Sequence, residues 1–338
     1  MKKIFSNRTN RKNLILAAAA FFAAAMVVFP SVTESGSKSA IIIWANAIVP
    51  VLLPFFIFAD FIKRTGNLQR LPVQLYPLLI AVLSGYPMGA KIVGDLVCDG
   101  TLSRERGREV LSYSLVTGPA FLMGTIGAFL GSTRAALIIL LAHYLGALLN
   151  GAFFRGTGRG RGRNSNRARR SGRTQDTRER LAEGRRGSSA VSASSSVLAS
   201  APSTAASSVL ENFTLAITSG FKAMAVILAY LMIFMIGIDL VEAAGLWQHL
   251  GNELTASFFK GVLEMTVGAN MISLCNATLA FKTVLIAVIV SFGGLSVIGQ
   301  SVSMAAGSGL RLSDILRVKV MHGIFSGIVA MFLVRVML

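Results

Sequence analysis

Glycine, serine and threonine residues interrupt long apolar segments of this chain at four places, and their types favour the binding of a small polar solute. The interruptions lie near Gly85, Gly118, Gly268 and Gly293. Where a helix is broken inside a membrane, its free amide groups carry a partial positive charge that suits an anion. The carbonyl groups released at the break, together with nearby hydroxyls, can coordinate a cation. This chemistry holds and releases a solute without making or breaking a bond.

We expect the residues at and beside these interruptions to line one polar site. The candidate substrate-binding residues are Ser84, Gly85, Tyr86, Lys91, Thr117, Gly118, Thr266, Asn270, Gly293, Ser296 and Gln300. Small residues are also common where membrane helices pack closely, so any one of them has a packing explanation. The prediction therefore depends on the set, which recurs in both halves of the chain.

Two ionisable residues stand close to the interruptions. A charge at membrane depth is costly and usually has a function. Lys91 either faces an anionic substrate or pairs with Asp95, which lies four residues later on the same helix face. Glu264 is the candidate for coupling transport to Na⁺ or H⁺, with a place at the outer rim as the alternative. His143 and His322 occupy matching positions and are expected to be packed, neutral histidines.

The interruptions belong to an internal repeat. At offsets of 179, 175, 175 and 179 positions, the matched pairs are Gly89 and Gly268, Thr117 and Phe292, Gly124 and Gly299, and His143 and His322. Apolar segments that are broken by Gly and Pro at corresponding positions of two halves are typical of secondary transporters. The repeat therefore predicts a binding site at the interface between the two copies.

The composition is that of a membrane protein. The chain has 338 residues, of which 53% are hydrophobic and 14% are charged, whereas a soluble domain carries about a quarter charged residues. Apolar runs such as residues 135–154 and 224–240 are long enough to cross roughly 30 Å of hydrocarbon. The prediction is an all-α polytopic membrane protein.

The net charge of +18 is concentrated in one segment. Twelve arginines lie between Arg155 and Arg186, and residues 188–208 are almost entirely Ser, Ala and Val. Such a sequence cannot bury a core and is expected to be disordered. We interpret it as a cytoplasmic loop whose arginines help to fix topology, rather than as a nucleic-acid site.

The predicted organisation has four parts. Residues 1–40 form an N-terminal membrane helix and an outer loop, and residues 41–154 form the first repeat of helix, hairpin, broken helix and helix. Residues 155–210 form the disordered loop, and residues 211–338 form the second repeat. Each repeat contains three full crossings, so the second copy must be inserted upside down.

The hairpins and broken helices follow from the positions of Gly and Pro. Residues 71–97 are cut in the middle, which leaves about ten residues, or roughly 15 Å, on each side. Two half-length helices of this kind predict a re-entrant hairpin. The matching hairpin covers residues 254–274, with its tip at residues 266–270. The broken helices are predicted at residues 109–131 and 280–306, while Arg311, Arg317 and Lys319 are assigned to the cytoplasmic side.

Three sequence strings resemble the nucleoside-recognition Gate-domain family. They are residues 83–91, residues 116–121 and residues 292–297, and the resemblance covers about residues 40–335 apart from the arginine-rich loop. It implies an inverted-repeat fold similar to that of concentrative nucleoside transporters, with two re-entrant hairpins and two broken transmembrane helices. It also implies a role in sporulation, in which dipicolinate is moved across the outer forespore membrane.

Three functions remain open at this point. The first is transport of a small anionic metabolite, with dipicolinate as the candidate, because a dicarboxylate suits helix N-termini and a lysine. The second is nucleoside transport, although acidic residues typical of nucleoside recognition are not obvious at the first hairpin. The third is a non-transporting membrane scaffold for spore morphogenesis.

An enzyme is not expected, because the chain has no GxSxG, HExxH or phosphate-binding motif. The two cysteines, Cys98 and Cys275, give no metal or redox spacing. Beyond a coupling cation, no cofactor is predicted. The expected partners are the small anionic substrate and the lipid bilayer, without nucleic acid, and a homo-oligomer is compatible with this interpretation.

Overall fold

The computed structural model describes residues 2–65, 71–155 and 205–338, and the regular elements in these ranges are all helices. The predicted all-helical fold is therefore confirmed for this part of the chain. Most of the loop predicted for residues 155–210 lies outside the described residues, and the prediction is wrong for residues 205–210, which are helical. Five helices of the described part are long and apolar enough to cross a membrane: Pro30–Ile62, Thr133–Arg155, Ser208–Ala243, Leu279–Met304 and Leu312–Met337.

Within each described range, the helices follow one another with short connections. In chain order they are α1 (Lys2–Val28), α2 (Pro30–Ile43), α3 (Val49–Thr65), α4 (Leu75–Ser84), α5 (Met88–Cys98), α6 (Arg104–Ser114), α7 (Gly127–Leu130), α8 (Thr133–Arg155), α9 (Ala205–Ala243), α10 (Glu253–Leu263), α11 (Met265–Leu274), α12 (Leu279–Phe292), α13 (Gly294–Met304) and α14 (Leu312–Met337). π-Helical segments join α2 to α3 (Trp44–Ile48) and precede α7 (Phe121–Ile126), and a 3₁₀ segment follows α9 (Leu246–Leu250).

The outer loop predicted within residues 1–40 is wrong, because residues 30–43 form α2. Pro30 stands at the first helical position, where its missing N–H costs nothing. Gly36, which favours a loop in the sequence, serves helix packing instead. A Cβ at this position would lie 3.2 Å from the Ile236 Cα of α9, so the glycine lets the two backbones come close.

The two interruptions of the first half lie where they are predicted. Helices α4 and α5 are joined through residues 85–87, where Gly85 has a φ of +72°, a conformation that favours glycine. Helix α6 ends at Ser114, and residues 115–118 are not helical before the chain turns helical again. Pro119 follows this stretch and cannot donate to a continuous helix.

In the second half, one interruption is displaced from its predicted place. Helices α10 and α11 meet at Glu264, so the predicted tip at residues 266–270 is wrong and this segment lies inside α11. The Glu264 Oε2 accepts a hydrogen bond of 2.8 Å from the Val267 amide and so caps α11. The break between α12 and α13 is confirmed at Gly293 and Gly294, whose φ angles are +83° and +71°.

A glycine just after each hairpin break permits close backbone packing. A Cβ at Gly89 would lie 2.1 Å from the Ser114 carbonyl oxygen, and a Cβ at Gly268 would lie 2.0 Å from the Gly261 Cα. Gly89 and Gly268 are the pair matched by the repeat offset of 179. Both matched glycines therefore allow a close backbone approach, of α5 to the end of α6 in the first half and of α11 to α10 in the second.

Ion pairs join the two halves where α6 and α14 begin. The buried carboxylate of Asp314 accepts hydrogen bonds from Arg104 at 3.3 Å and from Arg108 at 3.5 Å. The Arg311 amide donates a third hydrogen bond, of 3.1 Å, to the same carboxylate. The first turns of α6 and α14 therefore lie side by side.

Replacement of Gly268 by Ala should destabilise the protein, because the new methyl group cannot fit between α10 and α11. We expect a cost of about 1–3 kcal/mol, measured as a lower midpoint of thermal unfolding in detergent. Gly124→Ala is the matched control, since no atom lies within 4 Å of a Cβ added there. Equal midpoints for the two variants would contradict the close packing of this helix pair.

Candidate functional site

A cavity lies where the four interruptions come together. Its volume is about 40 Å³, enough for a few water molecules. It is lined by Ile48, Leu52, Tyr86, Thr117, Phe121, Ile227, Leu231, Glu264, Met265, Thr266, Ser296, Val297 and Gln300. Three interruptions contribute a residue directly, the first turn of α13 contributes Ser296 and Val297, and α9 and the π-helical segments supply apolar walls.

Half of the sequence-predicted site residues lie together in this lining. They are Tyr86, Thr117, Thr266, Ser296 and Gln300, together with the coupling candidate Glu264. Their side chains are all buried. The structure thus brings residues from both halves of the sequence to one place, while their binding of a substrate stays a prediction.

The polar groups of the lining can both donate and accept hydrogen bonds. The Gln300 Nε2 donates to the Ser296 Oγ at 3.2 Å, and the Thr266 side chain lies beside the Glu264 cap. Apart from Tyr86, Glu264 supplies the ionisable side chain of the lining, and it is 4% exposed. The cavity therefore offers hydroxyl, amide and carboxyl groups within largely apolar walls.

Ser84, Gly85 and Gly118 build the wall behind the cavity instead of lining it. A Cβ at Gly85 would lie 2.9 Å from the Gly118 amide nitrogen, so the first hairpin tip and the first broken helix are in contact. The Ser84 Oγ donates to the Ile80 carbonyl at 2.6 Å. These residues hold Tyr86 and Thr117 in position.

Three other predicted site residues, Lys91, Asn270 and Gly293, do not line the cavity either. The Lys91 Nζ lies 3.2 Å from the Asp95 Oδ2, and the lysine side chain is 35% exposed. Of its two predicted roles, the ion pair is the one that the structure contains. Asn270 is half-buried one turn beyond Thr266.

Lys319 is a buried residue that the sequence interpretation misplaced. Its assignment to the cytoplasmic side is wrong, because the side chain is 1% exposed and lies among the interruptions. Its Nζ donates to the Tyr86 hydroxyl, donates to the Leu115 carbonyl at 3.1 Å, and stands 4.1 Å from the Tyr86 ring centroid. One feature of the sequence could have indicated that Lys319 is buried: it lies three residues before His322, so both side chains are on one face of α14.

His143 anchors the first broken helix. The Thr117 amide donates to the His143 Nε2 at 3.0 Å, so this nitrogen carries no proton. The Nδ1 then carries the proton and donates to the Ser291 Oγ at 2.8 Å. This arrangement requires a neutral imidazole, as expected from the sequence.

His322 and Tyr144 complete the same network. The His322 Nε2 donates to the His143 carbonyl at 2.9 Å, and the Tyr144 hydroxyl donates to the Thr117 carbonyl at 2.8 Å. Both backbone groups of Thr117 are therefore paired with side chains of α8. The network fixes the unwound backbone at the edge of the cavity and links it to α12 and α14.

The variant His143→Leu should lower stability, because it leaves the buried Thr117 amide without an acceptor. We expect a loss of about 1–3 kcal/mol, read from thermal unfolding in detergent. His249→Leu, in the exposed 3₁₀ segment, is the control and should leave the midpoint unchanged. A midpoint for His143→Leu that matches wild type would show that the histidine does not support the break.

No family model matches this chain, and no solved structure matches it. The chain is 23% identical, over 341 residues, to the sporulation integral membrane protein YlbJ of Bacillus subtilis (strain 168). The match covers 93% of this chain and 80% of that protein. It agrees with the sporulation relationship that the sequence resemblance implies, while membership of the Gate-domain family stays a prediction. The chain is therefore an integral membrane protein and a relative of a sporulation protein.

Proposed function

We propose that the chain is a transporter of a small anionic metabolite, with dipicolinate as the candidate substrate, that works by alternating access. The proposed location is the outer forespore membrane of sporulating cells. One observation carries the proposal: both hairpin tips, the unwound stretch after α6 and the first turn of α13 border the same cavity, which has polar groups within mostly apolar walls. In secondary transporters the substrate site lies where such broken helices meet.

The two short helix pairs support re-entrant hairpins. Helices α4, α5, α10 and α11 have 10 or 11 residues each, which is roughly 15 Å, or half of the hydrocarbon thickness. A helix that ends at this depth needs protein or water around its free backbone groups. The tip residues Tyr86 and Glu264 border the cavity, which meets this need.

The ion pairs of Asp314 support the inverted arrangement of the two halves. In the proposed topology each half has the order helix, hairpin, broken helix, helix and makes three crossings. If both halves had the same orientation, α6 and α14 would begin on opposite sides of the membrane. The contacts of Arg104 and Arg108 with Asp314 place the two starts together, as inversion requires.

The start of α13 favours an anionic substrate. Its N-cap, Gly293, has no capping side chain, so the first amides of the helix are available for a ligand. Ser296 and Val297, in the first turn, line the cavity. A carboxylate group of a small planar acid would fit this helix end. Glu264 is then the proposed coupling group, which binds H⁺ or Na⁺ before the anion enters.

The cavity lining also favours nucleoside transport as a second candidate. Hydroxyl, amide and carboxyl groups from Thr117, Gln300 and Glu264 can hydrogen-bond an uncharged sugar and base. The two candidates differ in the charge of the substrate. Uptake of labelled dipicolinate and of labelled uridine into proteoliposomes therefore separates them.

Gln300→Leu should reduce the uptake of the true substrate by about ten-fold, because one lost hydrogen bond is worth about 1.4 kcal/mol. Gln248→Leu, at an exposed position, should transport at the wild-type rate. The measurement is the initial uptake rate in proteoliposomes at equal protein content. Absence of uptake of both solutes by the wild type would contradict the proposal.

Glu264→Gln should uncouple uptake from the ion gradient, because an amide cannot bind or release the proton. We expect exchange of substrate across the vesicle membrane to continue, while accumulation driven by an imposed H⁺ or Na⁺ gradient is lost. Glu253→Gln, at the exposed start of α10, is the control. Gradient-driven accumulation by Glu264→Gln at the wild-type level would exclude Glu264 as the coupling group.

The scaffold alternative makes the opposite prediction for spores. A scaffold should fail when residues 159–186 are deleted and should tolerate Gln300→Leu. A transporter should lose function with Gln300→Leu and retain it after the deletion. The measurement is the yield of mature spores from strains that carry each variant.

A further inference from the structure

Lys319 is a buried lysine whose Nζ contacts two oxygen atoms. Its ammonium donates to the Tyr86 hydroxyl and to the Leu115 carbonyl at 3.1 Å, and the side chain is 1% exposed. The Leu115 carbonyl lies just beyond the end of α6, where helix carbonyls lack helical partners. Released carbonyls at the C-terminal end of a broken helix are the groups that bind Na⁺ in secondary transporters. The ammonium thus stands where a free monovalent cation would have suitable ligands.

Among the described residues, no carboxylate lies within ion-pair distance of the Lys319 Nζ. The neighbouring titratable groups are Tyr86, His143 and His322. Helix α13 has no titratable residue, and α12 has only Lys282 near its start. The nearest charged residues of the helix that precedes Leu115 pair with Asp314 or with one another. The cation is therefore held by dipoles and by an aromatic ring.

Lys319 also joins the two halves of the chain. It belongs to α14 in the second half, while Tyr86 and Leu115 belong to the first. A Cβ at Gly293 would lie 3.2 Å from the Lys319 Cε, so the side chain also packs against the break between α12 and α13. One side chain therefore contacts three of the four interruptions.

The repeat shows that the fold itself does not require a lysine here. His143 and His322 are 179 positions apart, and the same offset relates Leu140 to Lys319. The last helix of the first half therefore has leucine at the corresponding position. The charge belongs to the second half alone.

We propose that the Lys319 ammonium is a built-in monovalent cation, which occupies a cation site formed by the Leu115 carbonyl and the Tyr86 hydroxyl. It holds the first hairpin tip and both broken helices together. Its place in the transport cycle rests on the proposed function: the carrier needs no bound Na⁺ at this site. The existence of the site does not depend on transport and can be measured by stability.

The test is chemical rescue of Lys319→Ala in detergent. This variant removes a side-chain fragment that matches n-propylammonium, so added n-propylammonium should bind in the vacated space. We expect the midpoint of thermal unfolding of Lys319→Ala to rise by about 2 °C or more at saturating n-propylammonium. n-Propanol, which has the same shape without the charge, should have no such effect.

Three controls make the rescue specific. Wild type and Lys319→Met, in which the space is filled, should show no rise with n-propylammonium. Lys282→Ala removes another lysine that donates to a main-chain carbonyl, that of Ser273 at 2.8 Å, and should not respond either. If Lys319→Ala does not survive purification, its recovery from membranes in n-propylammonium is compared with its recovery in n-propanol.

The proposal is overturned if n-propylammonium and n-propanol act equally on Lys319→Ala, or if Lys319→Met responds as strongly. It is also overturned if neither n-propylammonium nor Na⁺ changes the stability of Lys319→Ala. Failure of wild-type protein to take up any solute would refute the proposed function instead. That result would leave the rescue measurement intact, so the two failures are distinguishable.

Discussion

The constraint on which this structure depends is that a broken helix inside a membrane must find new partners for its backbone. Lipid offers none, so each break has to be enclosed by protein or by a polar cavity. The unwound stretch after α6 shows how this is done: the Thr117 amide and carbonyl are paired with His143 and Tyr144, and the Leu115 carbonyl with Lys319. Because the same side chains hydrogen-bond to several breaks, the breaks lie close together, and the cavity forms between them.

The two halves share a framework but differ in their charges. Gly89 and Gly268 both allow a close backbone approach, and His143 and His322 share a network. At the same offset, however, Glu264 corresponds to Gly85 and Lys319 corresponds to Leu140. The carboxyl group and the amino group near the cavity therefore both come from the second half. The two halves therefore share a backbone framework, but the Glu264 and Lys319 side chains make their contributions to the surroundings of the cavity unequal.

The sequence predicts those parts of the fold that are marked by backbone chemistry. Gly85, Pro119 and Gly293 mark three of the four breaks, because glycine permits a left-handed backbone and proline lacks a donor. The fourth break is not marked by glycine or proline. It lies at Glu264, where a carboxylate caps the following helix, and nothing in the local sequence separates such a cap from an ordinary helical glutamate.

The remaining errors have tertiary causes. Gly36 and its polar neighbours have the composition of a loop. They are helical because this segment packs against α9, which the local sequence does not show. Lys319 follows Arg311 and Arg317 in the sequence, so the charge rule places it with them at the membrane surface. Only the partners Tyr86 and Leu115, more than 200 positions away, show why a lysine is tolerated in the interior.

The carboxylate of Asp314 has a consequence for the energetics of conformational exchange. Any opening between the first turns of α6 and α14 must separate it from Arg104 and Arg108, whose side chains are about one third exposed. Because the Asp314 side chain is only 8% exposed, dissolved salt screens these pairs less than it screens surface ion pairs. In the proposed carrier, the balance between closed and open conformers at this end is therefore set partly by residues that do not line the cavity.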